Sequence, residues 1–324
     1  MPKNNNLEPV KLPMDLMFGV EPETNFRNNL DAIKVTLVDA PTMEQLREYL
    51  PGFVNATWAV NPMSSNVLSI KEKDKLIKDA FFGKTLPTAL ETMGLTFLIE
   101  GISLQEVTHI IRYRKGSFSA DCSGDKWWTN KDALVPSAIQ NSDMFYERYK
   151  QITEMAKQLY CDMIDSKEIS IMDARSILPR NLNTFYYMRV NLGDAIHFIK
   201  QRIDKQIQPE TDNVIAYQMY LEILKQYPVA NGLIDIHSPS YFYIKMARTG
   251  KATNLYFPDS DSDKFEWNEN DFIYQCTRDK MNGTNEGAQN HFNEVMSHFE
   301  SLIKATEVAN NAKLERLYKE EEGK

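Results

Sequence analysis

Apolar positions along the chain follow two different periods, and the switches between them predict a mixed α and β chain. Ile33 to Val38 alternates and is rich in β-branched residues, which predicts a strand. Helices are predicted over Thr42 to Tyr49, stopped by Pro51, and over Lys71 to Ala80. Thr96 to Ile99 is a compact apolar run that reads as a buried strand or a helix entry. Ser103 with Glu106 three residues later forms a capping box, which starts a helix through Val107, Ile110 and Ile111 with Gly116 as its end.

From Ser142 to Asp165, Phe145, Tyr149, Ile152, Ala156, Leu159 and Met163 recur three or four apart, predicting an amphipathic helix whose stripe, Met and Tyr included, faces the core. Ser170 to Leu178 reads as a short helix closed by Pro179, and Thr184 to Val190 as a strand. Asn191 and Asp194 cap a helix to Ile203, with Leu192, Ala195, Ile196, Ile199 and Ile203 as its stripe and Arg202 beside it. Val214 to Leu224 continues as helix until Pro228, Tyr241 to Met246 reads as a strand, and Phe257 to Asn270 as polar loop. Glu286 to Glu322 is a long helical pattern with Phe292, Val295, Met296, Phe299, Leu302 and Ile303 inward, leaving His291 and His298 as surface histidines.

Composition narrows the function classes. With 324 residues, 42% hydrophobic and 25% charged, the chain can bury a large core. A net charge of −8 and a pI near 5.3 argue against a nucleic-acid surface, so an anion must be bound locally. Cys122, Cys161 and Cys276 are odd in number and widely spaced, which indicates neither a disulfide framework nor a zinc site and suits a reducing cytosol. Asp259 to Asp263 starts like a calcium loop, but Lys264 and Asn270 replace the required glycine and glutamate, so no metal is expected. The start lacks a signal-peptide core and no run approaches the ~18 apolar residues of a membrane span. A cytoplasmic protein without membrane contact is expected.

Candidate chemistry concentrates between His109 and Asp125, where cationic, hydroxyl and glycine positions gather. Arg112 and Arg114 are expected in the last turn of the Ser103 helix, with Ser117, Ser119 and Ser123 beyond it, an arrangement suited to cradling phosphate. On this stretch alone, a basic helix end followed by an ordinary polar loop is the better reading.

A family resemblance changes that balance. Arg112-Tyr-Arg-Lys-Gly-Ser-Phe-Ser with Ser123 and Gly124 resembles the signature of flavin-dependent thymidylate synthases, the ThyX family, Arg-His-Arg-x-x-Ser-x-Asn-Glu-x-Ser-x-Arg. Tyr113 stands for the His and Ser119 for the Asn; one extra residue brings Asp121 and Ser123 onto the Glu and Ser, and Asp125 replaces the final Arg. A second block, Ala174 to Pro179 through Asn191 to Arg202 and Gln208-Pro-Glu210, resembles the family's downstream pattern without a gap. The resemblance covers Ile33 to Pro228.

It implies an α/β fold of the α+β type, with a central sheet flanked by helices and a helical C-terminal extension. The expected division is an arm over residues 1–30, a catalytic domain over 31–235 and the extension over 236–324. Nucleotide binding is implied for His109, Arg112, Asp121, Ser123, Gly124, Arg175 and Arg202, with Arg202 on the pyrimidine and Arg202 and Ser123 as catalytic residues. Flavin contacts are implied for Arg112, Arg114, Ser117, Ser119, Asn191 and His197. Thr92, His109 and Gly193 replace a family His, Gln and Arg, changes on the side where flavin and folate meet. The implied reaction carries a one-carbon unit from methylenetetrahydrofolate to C5 of dUMP, with FAD and NADPH, in a homotetramer. It needs no cysteine nucleophile, so Cys122 is given no such role. Alternatives are a hydroxymethylase of dUMP or dCMP and a noncatalytic nucleotide-binding subunit.

Overall fold

The computed structural model describes residues 24–56, 67–121, 131–205, 208–234 and 285–323. Strand β1 (Phe26–Asn28) runs into α1 (Asn29–Ala32) and β2 (Lys34–Asp39). Helices α2 (Met43–Asn55), α3 (Ile70–Phe81) and α4 (Thr88–Glu91) lead to the long strand β3 (Gly94–Ser103), whose end passes into α5 (Leu104–Ile110). Next come β4 (Ser117–Ala120), β5 (Ala133–Val135), α6 (Ser137–Gln140), α7 (Asp143–Asp165) and α8 (Ile171–Ala174), followed by a 3-10 turn at Arg175–Ile177. Strand β6 (Asn183–Asn191) enters α9 (Leu192–Arg202) directly, and α10 (Glu210–Gln226) and α11 (Glu286–Glu322) follow.

The sheet has four antiparallel strands in the order β2-β3-β6-β4, and β1 pairs in parallel with β5. On β6, Thr184, Tyr186, Met188 and Val190 point inward while Phe185, Tyr187 and Arg189 point out, the alternation expected of a sheet covered on one face. Helix α10 lies in the middle of the core, and α11 packs on it through Phe292, Met296 and Ile303. Side chains of α10 also close the sheet's β2 edge. The Gln218 amide donates to the Ile33 carbonyl and accepts from Val35 N–H, both at 2.9 Å, and Glu222 accepts from Leu37 N–H at 3.3 Å. Gly101 interrupts β3 with a bulge, its φ of +74° lying in the left-handed region, and a Cβ there would strike the Ala32 carbonyl.

Several expectations are corrected. Helix α2 continues through Pro51, because Leu50 and Pro51 are buried and the packing of α2, which includes α3, offsets the missing N–H. Gly116 does not end a helix: α5 stops at Ile110, and the polar loop expected after it is strand β4, paired with β6. Thr96 to Ile99 lies inside the ten-residue strand β3. The stripe assigned to the core on α7 is instead largely outward, with Phe145, Ile152 and Leu159 exposed and Thr153, Lys157 and Tyr160 buried. Leu302 of α11 is also exposed. His291 is half-buried, with Nε2 3.0 Å from an Asp31 carboxylate oxygen and Nδ1 2.9 Å from Ser137 Oγ. At the front of the chain, Phe26 to Asn28 pairs with β5 and Leu30 is buried, so the last residues of the expected arm belong to the folded body. The strand and loop expected between Tyr241 and Asn270, with the calcium-like run, lie outside the described residues.

Candidate active site

Three helices bring the site together. Ser103 starts α5 through the capping box with Glu106, whose carboxylate accepts from Ser103 N–H at 2.8 Å. That cap sets the helix whose last turn carries His109, with Arg112 in the turn that follows. Asn191 caps α9 by accepting from Asp194 N–H at 2.8 Å, and Arg202 closes the same helix. Asn213, fully buried, then donates to the carbonyls of Arg202 at 2.7 Å and Asp204 at 3.1 Å, fixing the connection to α10. Asp212, in the first turn of α10, is thereby held beside Arg202.

Arg202 Nη1 donates to Gln208 Oε1 at 2.7 Å and to Asp212 Oδ2 at 2.9 Å, and lies 3.4 Å from His109 Nε2. His109 Nδ1 is 3.0 Å from the same Asp212 oxygen, a close contact without hydrogen-bond alignment. The guanidinium carbon sits 5.6 Å from the Phe198 ring centre, a cation–π contact. Asp212 is almost wholly enclosed, its side chain 1% exposed. Four buried polar atoms here have no hydrogen-bond partner among the described residues: His109 Nδ1, Arg202 Nε, Asp212 Oδ1 and Tyr186 OH. Such atoms are costly unless something completes them. Two members of the cluster, His109 and Asp212, line a cavity of about 290 Å³ with Gln105, Glu106, Thr108 and Arg112 among others; Arg202 itself is not in its lining. Burial raises the Glu106 carboxyl above its ordinary range, and it pushes the Tyr186 phenol well up.

The other expected residues fall in different places. Arg114, Ser117 and Ser119 are exposed. Ser117 and Ser119 share one face of β4, and Phe118 turns the opposite way to meet Tyr186 at a ring distance of 5.8 Å. His197 Nδ1 lies 3.2 Å from the Tyr113 hydroxyl. It lines a second cavity of about 470 Å³ with Phe82, Lys115, Gly193, Asp194 and Lys200 among others. Asn191 spends its amide on the cap, donating back to Asp194 at 2.8 Å. Asp121 pairs with Lys131, whose amine burial lowers to about 8. Arg175 sits in the 3-10 turn packed against α7 and lines neither cavity. Cys122, Ser123, Gly124 and Asp125 lie outside the described residues. Asp212 and Tyr186 were not singled out from the sequence; an acid in the first turn of a helix is so common a signal that it marks no site.

Fold and site define the class: an α+β protein with a buried, incompletely satisfied arginine cluster at the mouth of a cleft. Residues 42–229, more than half of the chain, match the Thy1 family of thymidylate synthase complementing proteins, and the chain belongs to that family. It is 28% identical over 141 residues to the flavin-dependent thymidylate synthase of Pyrococcus furiosus, covering 42% of this chain and 57% of that one. Against the enzyme of the same description from Thermococcus onnurineus it is 29% identical over 140 residues, covering 42% and 56%. The chain thus spans only about half the length of the curated relatives it matches. In fold it is similar to a UMP/dUMP methylase of Streptomyces cacaoi solved with 5-bromo-dUMP, at a TM-score of 0.51 and 19% identity over 63% of this chain and 94% of that one.

Proposed function

We propose that the chain is a flavin-dependent thymidylate synthase, transferring a one-carbon unit from methylenetetrahydrofolate to C5 of dUMP to form dTMP, with FAD as cofactor and NADPH as reductant. The observation that carries this reading is the Arg202 cluster, a largely enclosed guanidinium whose incompletely satisfied partners His109 and Asp212 line a cavity, in a chain of this family. Arg202 would face the pyrimidine carbonyls and stabilise the negative ring charge that makes C5 nucleophilic toward the incoming carbon. Arg112, on the cavity rim, is suited to the phosphate, with Ser123, Gly124 and Asp121 as further nucleotide ligands. When bound, FAD supplies the carrier for reducing equivalents and for the transferred carbon. The exposed donors Ser117 and Ser119 on the edge strand β4, with Arg114 just before it, suit its diphosphate, and His197 and Asn191 are the further flavin ligands of this reading.

We further propose a homotetramer with shared sites. Two features support it. Met144, Phe145, Ile152, Met155 and Leu159 leave an apolar face on α7. Arg175 is not in the lining of the cavity formed by His109, Arg112 and Asp212, so a site shared between copies would bring Arg175 of one subunit to that cavity of another. No described helix is long and apolar enough to cross a membrane, and a cytoplasmic enzyme acting on free nucleotides fits this reading. The test is incubation with dUMP, methylenetetrahydrofolate, FAD and NADPH followed by mass analysis of the nucleotide. Formation of dTMP is expected, and unchanged dUMP would overturn the proposal.

A further inference from the structure

Within the Arg202 cluster, one carboxylate does two things at once. Asp212 Oδ2 takes the Arg202 guanidinium at 2.9 Å and lies 3.0 Å from His109 Nδ1, so this oxygen is occupied with holding the cluster. Its other oxygen, Oδ1, is buried, has no hydrogen-bond partner among the described residues, and belongs to a residue that lines the 290 Å³ cavity. A carboxylate that is ionised to hold an arginine can only accept hydrogen bonds, so Oδ1 asks for a donor. Two other members of the cluster can donate. Arg202 Nε–H has no hydrogen-bond partner among the described residues, and His109 Nδ1, close to Oδ2 but not aligned for a hydrogen bond with it, can carry a proton.

We propose that Asp212 is a specificity-determining residue that reads the base: its Oδ1 accepts the N3–H of a uracil ring while Arg202 and His109 serve the flanking carbonyls. The proposal rests on the reading of this cavity as a pyrimidine nucleotide site. Uracil offers a donor between two acceptors along that edge, the complement of an acceptor between two donors. Cytosine presents a lone pair at N3, which would face the carboxylate acceptor to acceptor and leave both desolvated and unsatisfied. The occupied Oδ2 has a purpose in the same scheme. By holding Arg202 and His109 it fixes the spacing of the two donors against which the base is measured, so positioning and reading reside in one side chain.

The experiment is equilibrium binding to the full-length, FAD-supplemented protein by titration calorimetry, with dUMP, dCMP and 3-methyl-dUMP, in which a methyl replaces the N3 hydrogen. Expected for the unaltered protein is measurable dUMP binding with dCMP and 3-methyl-dUMP each weaker by about tenfold or more. In Asp212→Asn, whose amide can turn its NH2 toward a cytosine N3, the preference for dUMP over dCMP should fall to within about threefold, a change that mere loosening of the site would not produce. Equal affinity of the unaltered protein for dUMP and 3-methyl-dUMP overturns the proposal and leaves the nucleotide site standing. This arm does not depend on the variant folding. Full retention of the dUMP preference by a folded Asp212→Asn likewise overturns it. Failure of every nucleotide to bind removes the nucleotide-site reading, and the proposal with it.

Discussion

The Tyr113 hydroxyl donates to the Asp194 carbonyl at 2.8 Å and lies 3.2 Å from His197 Nδ1, tying the turn after α5 to the first turns of α9. Tyr113 is buried and its ring meets Phe198 edge-on at 5.1 Å, so the tie is packed as well as bonded. This is the position where the family signature has His. Tyr113→Phe keeps the packing and removes the hydroxyl, and it should cost about 1 kcal/mol of stability, measured by denaturant unfolding. FAD affinity, followed by flavin fluorescence, should weaken as His197 loses the hydroxyl contact at Nδ1.

Removing Arg202 should be severe in two separate assays. Arg202→Ala leaves the enclosed Asp212 carboxylate without its cation, and truncating a buried charged pair typically costs about 2–5 kcal/mol. Turnover of dUMP should fall by a comparable free energy in kcat/KM. Arg202→Lys should recover little, because one ammonium does not reproduce a guanidinium shared among Gln208, Asp212 and the Phe198 ring.

Gly101 is irreplaceable for backbone reasons. Gly101→Ala puts a Cβ on a residue at φ +74° and against the Ala32 carbonyl, and should destabilise by more than about 1 kcal/mol in thermal or denaturant unfolding. The effect should reach the site, because β3 carries α5, and with it His109, at its end.

The apolar face of α7 tests the assembly. Ile152 and Met155 are 67% and 70% exposed, so Ile152→Glu with Met155→Glu should leave the secondary structure of the chain intact by circular dichroism. Light scattering should show a smaller species than the unaltered protein gives. An unchanged mass would exclude this face from the interface.

Lys157 predicts a pH dependence. Its ammonium donates to the Lys131 carbonyl at 2.7 Å and to Thr24 Oγ1 at 3.1 Å, yet burial lowers it from 10.5 to about 8. Between those two values the unfolded chain binds more protons than the folded one, so this group's contribution to stability rises with pH from about 8 to 10.5 and is a constant penalty below. The melting temperature of the unaltered protein should therefore gain on that of Lys157→Met across this window. A difference that stays constant with pH would contradict the shift.

Where local signals agreed, the sequence was legible. β6 and α9 show clear periods and a side-chain cap, and their observed bounds, Asn183–Asn191 and Leu192–Arg202, lie close to the expected ones. Periodicity on α7 identified residues that share a face but not which face is covered, since that depends on what packs there. The inward positions include Lys157, whose ammonium donates to a carbonyl 26 residues away. Pro51 misled because a helix-stop signal is local and the burial that overrides it is not. At the site, Arg112 and Arg202 stood out through a family pattern, whereas Asp212 acquires meaning only when α9 and α10 meet and leave half of its carboxylate unsatisfied.

The amide of Gln218 and the carboxylate of Glu222, laid along β2, make the sheet finite on that side. A foreign strand arriving there finds the hydrogen-bonding positions of Ile33, Val35 and Leu37 already taken, so fibril-like growth from that border is blocked by side chains alone. The opposite border is β4, the same short strand that carries Ser117 and Ser119. Filling the proposed flavin site would therefore also shield the one border of this sheet that α10 leaves open.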